Sequence, residues 1–145
     1  MLDKLTNSGI KCNNYLYFTF FGEHFDTKAI TKELGILPTS IGFKKDKTPK
    51  STSWDYRLNA TDDLDLATYL ERLIDLFEPK IDVIIRLKKE FKLNTRLQFV
   101  IDIDVSPESS TPYFGLNDRT IKFLNSTGTD VDFDLYKVDP QRLLK

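Results

Sequence analysis

An α+β fold is predicted, with five to six strands in an antiparallel or mixed sheet and helices packed on one face. Three observations predict it. Short runs suited to strands occur at Tyr15–Phe21, which is apolar on both faces, and at Arg96–Val105 and Asp130–Val138, where apolar and polar residues alternate. A helical spacing of three and four runs from Leu66 to Phe91. Strand, capped helix and strand follow one another near both ends of the chain. The expected order is β-α-β-β-α-α-β-(β)-α-β, a relative of the ferredoxin-like arrangement.

The segment Tyr15–Thr39 sets the pattern. Tyr15, Tyr17, Thr19 and Phe21 share one strand face; Leu16, Phe18 and Phe20 share the other. Both faces are largely apolar, which suits a strand interior to the sheet with one face fully covered. Gly22 ends the strand. Asp26 suits a helix N-cap, and Phe25 and Ile30 have the spacing of a hydrophobic staple. Gly35 and Pro38 stop the helix.

Ser40–Lys44 and Ser53–Leu58 read as short strands around a lysine-rich loop. In the second, Trp54, Tyr56 and Leu58 face opposite to Ser53, Asp55 and Arg57. Asn59–Asp65 reads as a polar turn. The helical pattern that follows is interrupted at Pro79, so two helices are expected, over about 64–77 and 79–91. Arg96–Val105 is a strand with Leu97, Phe99, Ile101, Ile103 and Val105 towards the core. Tyr113–Gly115 is the bracketed extra strand. Leu116, Asn117 and Ile121 repeat the staple-and-cap spacing of Phe25, Asp26 and Ile30. The last helix carries Ile121, Phe123 and Leu124 and ends near Gly128, and the last strand is Asp130–Val138. Residues 1–14 form a loose lead-in, 15–138 the single domain and 139–145 a tail.

The 145 residues suit one domain, and a chain of this length buries about 68% of its unfolded surface. With 21 basic and 22 acidic residues, global charge argues for neither nucleic acid nor membrane. The charge is uneven: residues 1–50 carry a net +3 and residues 101–139 a net −5. A single cysteine, Cys12, permits no internal disulfide and favours a reducing compartment. No apolar run is long enough to span a bilayer and no signal core opens the chain, so a cytoplasmic location is expected.

Two strands carry carboxylate rows: Asp102 and Asp104, then Asp130, Asp132 and Asp134. If those strands are neighbours, the rows meet on one surface. Three readings fit: a solvated face kept acidic against aggregation, a docking face for a basic protein, or a divalent cation site. No glycine-rich calcium loop accompanies the acids, and one histidine with one cysteine excludes a zinc set of those types. No cofactor fingerprint, catalytic motif or nucleic-acid signature is present. The leading expectation is a non-enzymatic protein-binding domain, with Asp102, Asp104, Asp132, Asp134 and Tyr136 as the docking face. The rival is an enzyme or small-ligand binder with a pocket at the turn after the first strand, lined by His24, Tyr17 and Trp54.

The motifs resemble a bacterial family, domain of unknown function 4279. They are F-x-F-x-G-x-x-F-D with I-T-x-x-L-G-I-x-P-T from Phe18 to Thr39, the Trp54 strand, the helix pair around Pro79, and G-x-D-x-D-x-D-x-Y from Gly128 to Tyr136. The resemblance runs from about Tyr15 to Val138. It implies a small α+β domain and assigns no catalytic residue. Single-domain bacterial proteins of this kind resemble immunity partners of secreted toxins, so a toxin is the partner class it suggests.

Overall fold

Five strands form one mixed sheet in the order β2-β3-β1-β4-β5, seen in a computed structural model that describes residues 12–61 and 63–139. The strands are β1 (Asn14–Gly22), β2 (Ser40–Gly42), β3 (Thr52–Thr61), β4 (Asn94–Asp104) and β5 (Asp130–Val138). The α-helices of the described residues are α1 (Thr27–Leu34), α2 (Ala67–Phe77), α3 (Ile81–Phe91) and α4 (Asp118–Thr127). A 3-10 turn, Glu78–Lys80, carries Pro79 between α2 and α3. Of the expected lead-in 1–14 and tail 139–145, residues 1–11 and 140–145 lie outside the described residues, and Asn14 already belongs to β1.

Strands β1 to β4 pair antiparallel throughout, with β1 between β3 and β4 and β3 between β1 and β2. This is the split βαβ order of ferredoxin-like folds. Helix α4 then returns the chain to add β5 parallel to β4, at the sheet edge. A parallel neighbour needs such a crossover, because a tight turn can only join antiparallel strands.

One face of the sheet is sealed by the helices. Leu16, Phe18 and Phe20 of β1, Trp54 of β3, and Leu97, Phe99 and Ile101 of β4 have no exposed surface. They meet Ile30 and Leu34 of α1, Phe77 of α2, Ile84 and Leu87 of α3, and Phe123 of α4 in one core. The rings interlock: Phe18 lies 4.7 Å from Phe77, and Phe20 meets Trp54 edge-on at 5.6 Å. Each such side chain, once buried, contributes roughly 1.5–3 kcal/mol.

The caps follow the residue types. The Asp26 carboxylate accepts from the Lys28 N–H at 3.0 Å, and the Asn117 side chain accepts from the Thr120 N–H at 2.9 Å. Gly35 and Gly128 end α1 and α4 at φ +70° and +60°, where any Cβ is strained. Lys88 reinforces the second stop by donating to the Thr127 and Gly128 carbonyls at 2.8 and 2.6 Å.

Four expectations are corrected. Tyr113 forms only an isolated bridge to Asp65, so the bracketed sixth strand is absent from the described residues. Strand β3 continues through Asn59, Ala60 and Thr61, which were expected in a turn; a register shift opposite Asn14 and Tyr15 accommodates them. Ile121 is half exposed, because α4 turns Thr120, Phe123 and Leu124 inward instead. Val105 lies past the end of β4 and is exposed, not in the core.

Candidate docking face

Among the described residues, no helix covers the second face of the sheet. Strand register decides what meets there, since paired residues point to the same side. Tyr17 lies beside Arg57 on β3 and beside Gln98 on β4. Gln98 in turn lies beside Asp132, Val100 beside Asp134, and Asp102 beside Tyr136. The two acidic rows are therefore neighbours on one face, and β5 carries its row at the exposed edge.

Aromatic and cationic groups occupy the other half of this face. Tyr15 and Tyr17 stack at 6.2 Å. The Arg57 guanidinium sits 3.4 Å above the Tyr15 ring and donates through Nε to Asn59 Oδ1 at 2.6 Å. Arg96 lies 5.0 Å over Phe21. Both arginines are thus engaged with rings. Among the described residues, no ion pair involves Asp102, Asp130, Asp132 or Asp134. The Tyr17 phenol is pushed above its ordinary pKa, first by burial and then by Asp55, Tyr15 and Asp134, with Arg96 opposing.

The acids differ in their local roles. Asp132 and Asp134 are exposed. Asp102 is half-buried and accepts from the Asn13 N–H at 2.9 Å. Asp104, expected on the docking face, is only 8% exposed. Its carboxylate accepts from the Ser106 N–H at 2.9 Å and the Ser109 hydroxyl at 2.8 Å, which commits it to the loop that leaves β4. Tyr136 is 55% exposed beside Asp102.

The alternative pocket is not assembled. Trp54 is in the core and its indole N–H donates to Thr31 Oγ1 at 3.0 Å. Tyr17 is on the opposite face of the sheet, and His24 is exposed in the turn before α1. A separate shallow cleft of about 230 Å³ lies between α2 and α4, beside Leu70, Tyr113 and Arg119. Arg119 there is bound by Asp75 at 2.8 Å and Glu78 at 3.0 Å, so its charge is already used to join the two helices. No three metal-ligating side chains converge among the described residues.

Sequence periodicity placed Ser53, Asp55 and Arg57 together but could not show which residues lie beside them. The cluster of Tyr15, Tyr17, Asp55 and Arg57 was therefore missed as a unit. Its signal was present: an alternate row of polar and aromatic residues on each of two strands that a hairpin-rich order brings together.

The family profile described as domain of unknown function, DUF4279, matches residues 10–138. The chain belongs to that family. The matched span of DUF4279 includes every strand and helix described above, from β1 through β5. No curated protein and no solved structure matches the chain. No helix among the described residues is long and apolar enough to cross a membrane.

Proposed function

We propose that this DUF4279 chain is a non-enzymatic binding domain that docks a cationic protein surface on the β4–β5 half of its open sheet face. One observation carries the reading: parallel pairing puts Asp102 on the same face as Asp132 and Asp134, diagonal to Asp134 and beside Tyr136, with no arginine or lysine of the described chain bridged to the three acids. Such a field accelerates encounter with a basic partner and repels polyanions, so nucleic acid does not fit despite the stacked tyrosines. Tyr136, 55% exposed, offers ring area for lysine and arginine side chains. The partner class we favour is a bacterial toxin with a basic working surface, covered sterically in the cytoplasm with no cofactor or catalysis.

The test is kinetic. A partner recovered by affinity capture is purified, and its association with the Asp132→Asn, Asp134→Asn protein is compared with wild type across salt concentration. A matched control, Asp46→Asn with Asp82→Asn, removes the same charge elsewhere. Slower association at low salt for the first pair alone supports the reading. Equal slowing by both pairs, or by neither, overturns it.

A further inference from the structure

Among the described residues, strand β5 has β4 as its one neighbour, and the other side of its backbone is without a partner. The Val105 N–H donates to the Val138 carbonyl at 3.0 Å, and the β4–β5 register has no shift. Backbone groups alternate in direction along a strand, so Val131, Phe133, Leu135 and Lys137 turn theirs away from β4. No described residue bonds to them. Protein edges of this kind are ordinarily shortened, bulged, interrupted by proline or protected by charge, and β5 has only the last of these, in Asp130, Asp132, Asp134 and Lys137. The opposite edge follows that rule, since β2 has 3 residues. Strand β5 has 9 residues and contains neither glycine nor proline.

The side chains along this edge are unfinished on both faces. Phe133 rests on Phe99 at 4.9 Å and Phe114 at 5.4 Å yet remains 37% exposed, and Leu135 beside it is 52% exposed. On the other face stand Asp130, Asp132 and Asp134. A sixth strand would cover the apolar pair and answer the acids only if it alternated apolar and cationic residues. A second copy of β5 does not meet that requirement, because it would bring acid row against acid row, which is unfavourable for directly opposed pairs.

We infer that β5 is a strand-addition site, and that its occupant is an extended segment of a partner protein with alternating lysine or arginine and apolar residues. Main-chain hydrogen bonds along β5 would supply the attachment, and the acidic and apolar rows would select the sequence. The inference rests on the docking face proposed above and specifies how a partner engages it.

The experiment uses a synthetic peptide alternating lysine and valine, matched to β5 in length, and a second alternating glutamate and valine. Amide hydrogen exchange is followed on the whole chain. The lysine peptide is expected to protect the N–H groups of Val131, Phe133, Leu135 and Lys137, and the glutamate peptide to protect none. Leu135→Pro removes one outward N–H without touching the β4 ladder or the acids, since proline is tolerated where an edge N–H faces solvent. It is expected to weaken the lysine peptide by about tenfold or more. Binding of the lysine peptide with no protection of these amides overturns strand addition while leaving charge docking standing. Absence of binding by either peptide, or concentration-dependent protection of β5 in the protein alone, overturns the inference as well.

Discussion

Replacing Thr31 with valine removes a hydroxyl at nearly constant volume and tests the assignment of Trp54 to the core. The Trp54 indole N–H donates to that hydroxyl at 3.0 Å, and Trp54 has no exposed surface through which water could replace it. An orphaned buried donor costs about 1–3 kcal/mol. Thr31 Oγ1 also donates weakly to the Thr27 carbonyl at 3.3 Å, and threonine and valine have similar helix propensity. The loss is therefore assigned mostly to the indole. For a chain of this size it lowers Tm by roughly 3–9 °C. The assay is a double-mutant cycle with Trp54→Phe, read by circular dichroism in denaturant titrations. Phenylalanine has no N–H to orphan, so Thr31→Val in that background should cost much less than in wild type. A coupling below about 0.5 kcal/mol would refute the reasoning, because it would mean that the indole N–H has another partner or reaches solvent.

Other outcomes follow from the caps and ion pairs. Gly35→Ala should cost about 1 kcal/mol in denaturant titration, entirely from backbone strain, since nothing lies within 4 Å of the added Cβ at φ +70°; Gly35→Asn should cost less. Lys88→Met keeps the aliphatic stem but loses the two donations at the end of α4, and a decrease of roughly 1 kcal/mol is expected by the same measurement. The Arg86 guanidinium, 2.7 Å from Glu33, holds that carboxyl below its ordinary pKa by hydrogen bond and charge. Its stabilising contribution is thus full above the ordinary carboxyl range and is lost as pH falls through the lowered value. The small stability difference between wild type and Glu33→Gln should accordingly vanish on acidification, and a difference that grew would contradict the assignment.

What the sequence made legible were properties of single elements. Alternation alone separated the two faces of β1 without telling which is covered, and identified the acidic row of β5 and the residues that share a face with Trp54. Short-range chemistry identified the Asp26 and Asn117 caps and the glycine stops. Relations between elements were less accessible. That β4 and β5 are parallel neighbours depends on the α4 crossover, which no strand pattern encodes. Asp104 keeps the face that alternation gives it but is closed off from a partner, because Ser109, five positions on, folds back to it. Tyr17 and Trp54 cannot share a pocket because the register places Phe20, not Tyr17, beside Trp54. Tyr113 meets Asp65 through two backbone bonds, from its N–H to the Leu64 carbonyl and from the Leu66 N–H to its own carbonyl, and pairing stops at that one bridge.

The most direct test of a β4–β5 docking surface is cross-saturation NMR on the labelled chain bound to its captured partner. Transfer is expected at Asp132, Asp134 and Tyr136 and along the β5 edge, fading towards β2. Transfer concentrated on the helices, or in the cleft between α2 and α4, would contradict the account.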